Sequence, residues 1–250
     1  MSVGIAFEGC AIKVAFHIGV LQYIKEQGIS LDMAAGASSG SIPATALAVG
    51  LPCNPREQWL SFMGARLVDL KRVFRGKWPT TLREFLLEGI AGYFGNVRLN
   101  ELSKPLAIPV TQFGWKGLQR KVYTHENNLS VLDVILATCH LPGFYSKVFS
   151  LEKKISLDGA WQIRTPVADL TSLGAKKTIA CVTNTQGLLY RGFFWQRSMP
   201  VPENCRVLYP IEPVTVGPFD ASIKAQYRAI AIGRRSAQRF FDTHQQWLWG

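Results

Sequence analysis

The sequence predicts an α/β fold, a parallel sheet covered by helices, and the prediction rests on its first fifty residues and one later run. Two short apolar segments, Val3–Phe7 and Met33–Gly36, are each followed by a turn of small residues and then by a helical stretch. A β-turn-α-β-turn-α order implies parallel strands joined by helical crossovers. Residues 178–183, rich in β-branched side chains, add a core strand much later in the chain. Right-handed crossovers would place both early turns at the carboxyl end of the sheet, where sites of α/β folds usually lie.

Each element has its own signal. Val3–Phe7 is short and uniformly apolar, as a strand buried on both faces should be. The helix that follows runs through Val14, Phe16, Ile18, Leu21 and Ile24 and stops at Gly28. Residues 36–41 are all small and make a sharp turn. Residues 42–49 then read as a helix closed by Gly50 and Pro52. Residues 56–126 are rich in Trp, Phe and basic side chains with Gly and Pro punctuation, and give no clear periodicity. They are expected to form a lid or membrane-facing insertion within one domain spanning residues 1–250. Val131–Thr138 reads as a helix, Lys154–Leu157 and 207–211 as strands, and 223–241 as a long helix presenting Ile223, Tyr227, Ile230, Ala231 and Phe241.

Bulk composition narrows the function classes. With 250 residues, 48% hydrophobic and 18% charged, the chain can bury a sizeable core and is not disordered. Its net charge of +11 favours a polyanionic partner, either nucleic acid or an anionic membrane, although a basic solvated surface would give the same count. The five cysteines (Cys10, Cys53, Cys139, Cys181, Cys205) are odd in number and not spaced as metal knuckles, which suits reduced thiols in the cytoplasm. The N-terminal residues do not read as a signal peptide, and no apolar run is long enough to span a bilayer. Membrane contact should therefore be peripheral.

The chemistry-bearing residues begin with Gly36-Ala37-Ser38-Ser39-Gly40. A Gly-x-Ser-x-Gly turn between strand and helix lifts the serine hydroxyl out of the sheet and places a helix N-terminus behind developing negative charge. The serine needs a base. Among His17, His125, His140 and His244, only His244 has the chain position for a Ser–Asp–His order. The other candidate is Asp158, followed by glycine at the end of a strand, where a carboxylate can take the proton directly if it is desolvated and within reach. Asp-Gly is also a common plain turn. The turn from Glu8 to Lys13 offers consecutive backbone N–H groups at a helix start, an anion site by geometry, with the Lys13 charge nearby.

Taken in order, these segments resemble the patatin-like phospholipases. The matching pieces are Gly9-Cys10-Ala11-Ile12-Lys13-Val14, His17-Ile18-Gly19-Val20-Leu21, Gly36-Ala37-Ser38-Ser39-Gly40 and Asp158-Gly159-Ala160, together with the stretch from Ala137 to Phe144 ending at Leu141-Pro142-Gly143. The resemblance covers about residues 3–167. It implies a three-layer α/β/α sandwich with a mainly parallel central sheet, and a Ser38–Asp158 dyad that cleaves fatty-acyl esters of lipids without histidine, metal or cofactor. It implies an oxyanion hole from the backbone N–H groups of Gly9, Cys10, Ala11 and Ser39, supported by Lys13. Cys10, Ala11, Lys13 and Val14 depart from the family's glycine-rich turn. A weak or inactive membrane-docking relative is therefore the alternative reading.

Three basic-aromatic patches suit an anionic bilayer: 66–83 with Phe74 and Trp78, 191–197, and the last helix with Trp247 and Trp249. The expected partners are a lipid substrate and an anionic membrane surface. No specific nucleic acid is expected, because no recognition module is present.

Overall fold

A computed structural model of the chain describes residues 2–52, 54–64, 67–115, 117–145, 147–192, 197–217 and 220–250. Cys53, Arg66 and the aromatic run 193–196 of the second basic patch lie outside the described residues. The elements are β1 (Val3–Phe7), α1 (Ala15–Glu26), β2 (Met33–Gly36), α2 (Ser41–Val49), α3 (Pro55–Ser61), α4 (Leu82–Phe94), β3 (Leu106–Gly114), β4 (Gly117–Thr124) and α5 (Val131–Thr138). They continue with β5 (Ser150–Leu151), β6 (Lys154–Leu157), α6 (Val167–Ser172), β7 (Lys177–Cys181), β8 (Leu189–Tyr190), β9 (Ser198–Met199), β10 (Cys205–Leu208) and α7 (Ile223–Trp249).

The main sheet has the order β10-β7-β1-β2-β3-β6-β5, with β4 on the other edge of β3. The run from β10 to β3 is parallel, and β4, β5 and β6 add antiparallel pairs. Helices cover both faces, giving an α/β/α sandwich. Strand alternation divides the core. Ile5, Phe7, Ile179 and Cys181 point into the larger layer with α1, α2, α5 and α7. Ala6, Ala35, Ala107 and Ala180 point into a thinner layer closed by Val167 and Leu170 of α6.

Three expectations change. The segment 56–126 is not one insertion, since β3 and β4 within it belong to the main sheet and Ile108 and Val110 are fully buried. Only its earlier part, through α3 and α4, lies outside the sheet. The strand expected at 207–211 ends at Leu208. The long helix continues through Trp247 and Trp249. Its buried face is Gln226, Ala229, Ile230, Gly233, Ala237, Phe240 and Phe241 rather than Ile223, Tyr227 and Ala231, which are exposed. The physical reason is a close helix crossing. A Cβ on Gly233 would lie 1.9 Å from the Phe16 carbonyl oxygen, and one on Gly19 would lie 2.0 Å from that of Ile230. The two glycines therefore fix which face of α7 turns to α1, with Phe241 stacked on Tyr23 further along, and Ile223, Tyr227 and Ala231 fall on the opposite side. Among the described residues no helix is long and apolar enough to cross a membrane.

Sheet topology brings two distant segments together. β2 pairs with the start of β3, at Ala34–Leu106 and Ala35–Ala107. β6 pairs antiparallel with a later part of β3, at Thr111–Leu157 and Gln112–Ser156. Because β4 occupies the other edge, β2 and β6 share one edge and run toward each other. Pro109 stands in the gap between them. The residues that follow each strand, Ser38 and Asp158, meet there.

Candidate active site

Ser38 Oγ donates a hydrogen bond to Asp158 Oδ2 at 2.5 Å. Both line one cavity of about 430 Å3, whose other lining residues include Gly9, Ala11, Ser39, Leu67, Leu82, Phe85, Leu86 and Trp161. The cavity is mainly apolar and of the size that binds a small molecule.

The serine is held in a constrained turn. Its φ is +51°, in the left-handed region that an L-residue adopts at a cost. The flanking glycines are required by contact. A Cβ on Gly36 would lie 2.2 Å from the Gly40 carbonyl oxygen, and one on Gly40 would lie 2.4 Å from that of Phe7. The Thr138 hydroxyl donates to Pro109 O at 2.6 Å and accepts the Ser38 backbone N–H at 3.0 Å, tying the turn to β3. Ser41 Oγ donates to Ser38 O at 2.6 Å.

Asp158 is 3% exposed. Its Oδ1 accepts the Ala160 N–H at 2.8 Å. Its own N–H donates to His140 O at 2.9 Å, and its carbonyl accepts the Thr111 hydroxyl at 3.0 Å. Burial raises the carboxyl from its ordinary 3.8 to about 7, and the hydrogen bonds from Ser38 and Ala160 hold it from rising further. A carboxylate with that affinity for protons can accept one from a hydroxyl and return it near neutral pH.

The chain was matched to a family model described as patatin-like phospholipase over residues 5–171. That span holds both Ser38 and Asp158 and two thirds of the sequence. The chain belongs to the patatin-like phospholipase family. The family is one of lipid hydrolases. Among solved structures, VipD from Legionella pneumophila is similar at 12% identity and a TM-score of 0.53, covering 97% of this chain and 67% of VipD. ExoU of the Pseudomonas aeruginosa type III secretion system, solved with SpcU, is similar at 14% identity and a TM-score of 0.44, covering 96% of this chain and 52% of ExoU. The chain thus spans about half the length of ExoU. These likenesses concern the fold. No curated protein sequence matches the chain significantly.

In this patatin-like domain the glycine-rich turn departs from expectation. The Gly9 N–H, expected to face an oxyanion, donates to Arg164 O at 2.9 Å and is already engaged. Arg164 Nε returns a hydrogen bond to Gly9 O at 3.1 Å, so one residue grips both polar groups of Gly9. The same Nε is 2.7 Å from Glu8 Oε1, and Glu8 Oε2 accepts the Thr183 N–H and hydroxyl at 2.6 and 2.7 Å. Burial pushes the Glu8 carboxyl up against the pull of Arg164. The Cys10 N–H donates to Ser39 Oγ at 3.2 Å, so an oxyanion bound there would have to replace that hydroxyl. Ala11 is the first residue of one short 3-10 turn, Ala11–Val14, and Ser39 the second of another, Ser38–Gly40, positions whose N–H groups have no partner within the turn. Ala11 has φ +52°, a conformation suited to the glycine that the family carries there. Lys13 is half-buried in this turn, and its charge acts on Glu8 and Cys10.

The histidines serve elsewhere. His244 lies in α7, where its ring bonds the Phe240 carbonyl at 2.8 Å and stacks on the Phe240 ring. His17 is buried against Phe7 and Phe16, neutral, with its pKa lowered by burial to about 3. His140 bonds the Ser156 carbonyl and packs on Tyr145. His125 sits in the turn after β4. Sequence reasoning did not single out Thr138, Cys139 or Arg164. Thr138 and Cys139 lie inside the stretch from Ala137 to Phe144 that carried part of the resemblance. Arg164 lies 155 residues from Gly9 and gave no local signal.

Proposed function

We propose that this protein is a lipid acyl-hydrolase of the phospholipase A or lysophospholipase type, acting as one domain through a Ser38–Asp158 dyad. The observation that carries the proposal is the 2.5 Å contact between Ser38 Oγ and a buried carboxylate in the wall of a mainly apolar cavity. Asp158 accepts the Ser38 proton as Oγ attacks the ester carbonyl carbon. The tetrahedral oxyanion is met by N–H groups of Cys10, Ala11 and Ser39, with Lys13 adding positive charge. The C–O bond to the alcohol breaks and Asp158 returns the proton to that oxygen. Water, deprotonated by Asp158, then attacks the acyl carbon, and Ser38 Oγ recovers its proton as the fatty acid leaves. Gly9 is a positioning residue in this scheme, because its N–H is held by Arg164.

The segment between α3 and α4 supports a lid at an anionic membrane surface. Leu67 and Leu82 line the cavity, and between them Leu70, Val73 and Phe74 are exposed among Lys71, Arg72, Arg75 and Lys77.

A second reading, a membrane-docking protein with little turnover, draws on the engaged Gly9 and Cys10 amides and the left-handed Ala11. Fatty-acid release from mixed anionic phospholipid vesicles, with chelator present, separates the two. The hydrolase reading expects release by wild type and His244→Ala, and a loss of at least about a thousandfold in Ser38→Ala and Asp158→Asn. Vesicle binding by wild type without release would favour docking.

A further inference from the structure

We infer that the groove beside Trp161 is an anion subsite for the phosphate of a glycerophospholipid, held by Arg191 and Arg197. The inference rests on the lipid-hydrolase reading for its orientation and names the substrate class, phospholipid over neutral glyceride. The groove measures about 370 Å3 and is lined by Trp161, Gln162, Arg191, Gly192 and Arg197. Trp161 lines the Ser38 cavity as well, so the two spaces share a wall. In a glycerophospholipid only the glycerol carbons separate the scissile ester from the phosphate. A cation site for that phosphate must abut the acyl cavity, and this groove does.

The two arginines are placed together by the backbone. β8 and β9 pair antiparallel, and Arg191 and Arg197 follow β8 and precede β9, at the end of that hairpin where its connecting loop begins and ends. The Arg191 N–H donates to Arg197 O at 3.3 Å, which makes them cross-strand neighbours. Like charges facing each other across a hairpin are destabilising unless an anion lies between them. Among the described residues, which include every Asp and Glu of the chain, no carboxylate pairs with either guanidinium, whereas Arg72, Arg120, Arg164, Arg234 and Arg235 each have one. The support is firm. The Arg164 N–H donates to Arg191 O at 2.9 Å, and a Cβ on Gly192 would lie 2.4 Å from the Trp161 carbonyl oxygen. Gln162 is fixed by a 3.1 Å hydrogen bond to Leu118 O. Planar guanidinium forks match phosphate oxygens bidentately.

The test measures binding rather than turnover, so it does not depend on the catalytic proposal. Ser38→Ala protein is titrated by calorimetry with monomeric dihexanoylphosphatidylglycerol, with dihexanoylglycerol and with inorganic phosphate, and the titrations are repeated after adding Arg191→Gln and Arg197→Gln. The expected result is a preference for the phospholipid over the diacylglycerol of about tenfold or more, collapsing toward parity in the arginine variant. Equal binding of the two lipids, or a preference that survives the double substitution, overturns the subsite. Phosphate binding as tightly as the phospholipid, with the same arginine dependence, overturns the lipid assignment and leaves a free-anion site. If wild type releases no fatty acid but the preference holds, the hydrolase reading fails and the subsite stands.

Discussion

Asp158 is costly to the fold at the pH where it would work. Its folded pKa of about 7 exceeds the ordinary 3.8, so the native state prefers the protonated form. The stability this contributes is complete below about pH 4 and is lost as pH rises through about 7, in total roughly 4 kcal/mol. Asp158→Asn, which cannot ionise, should therefore be more stable than wild type at pH 8 by up to roughly 4 kcal/mol, with the gap closing near pH 4. Urea denaturation at the two pH values reads this directly. The proposed base role adds that kcat/KM should climb through about pH 7 and level off above it, since the ionised form accepts the proton. A wild-type profile flat from pH 5 to 9 would remove Asp158 from that role. At this scale the sequence was legible wherever a residue type is forced by its neighbours. Ser38 stands between glycines that no Cβ could replace, and Asp158 precedes another, Gly159, whose Cβ would lie 2.1 Å from Pro109 O. Thr138 and Arg164 were not legible, because a hydroxyl or guanidinium acquires its role only from a partner brought in by the fold.

β3 shows why elements were read unevenly. β1 and β2 are short apolar runs buried on both faces, β7 lies in a run rich in β-branched residues, and all three announce themselves. β3 carries Pro109 in its middle, a residue that argues against a central strand. It is tolerated because it falls in the gap between β2 and β6, where its carbonyl takes the Thr138 hydroxyl. Without β3 the sequence offered no reason to end the insertion before residue 126. Outside the sheet, α3 and α4 pack into the core through Trp59, Leu86 and Phe94, and the stretch between them is clasped by a few contacts. Trp78 Nε1 donates to Gly143 O at 3.0 Å, the Thr80 hydroxyl donates to Phe144 O, and Val68 and Thr80 form a bridge. Each side-chain hydrogen bond contributes on the order of 1 kcal/mol, so Trp78→Phe with Thr80→Val should raise the open population about tenfold or more. Limited trypsin digestion at Lys71–Lys77 would register this as faster cleavage with the remaining chain intact. An unchanged rate would mean that these bonds do not hold the segment closed.

At the scale of the whole molecule, two features link distant parts. The first is the crossing of α1 and α7 at Gly19 and Gly233. A methyl on Gly233 would press on the Phe16 carbonyl, and backbone cannot step aside as a side chain can. Gly233→Ala should cost more than about 3 kcal/mol, seen as a lowered urea midpoint, and a cost under about 1 kcal/mol would show that the helices can separate cheaply. Because α1 follows the Glu8–Val14 turn directly, a shift at this crossing would also be felt at the site. The second feature is how the net charge of +11 and the exposed apolar residues coincide. A basic surface alone would bind any polyanion, and it would release it on adding salt. Phe74, 92% exposed between Lys71 and Lys77, adds an apolar contribution that nucleic acid would not reward and a bilayer would. Phe74→Ser removes that contribution without changing the charge. It should weaken binding to phosphatidylglycerol-containing vesicles by about tenfold or more, the equivalent of burying one aromatic side chain, and the residual binding should disappear at high salt. Binding to duplex DNA should be weak and unaffected by the substitution. If Phe74→Ser leaves vesicle affinity unchanged while salt abolishes it, attraction to the membrane is purely electrostatic and the lid does not enter the bilayer.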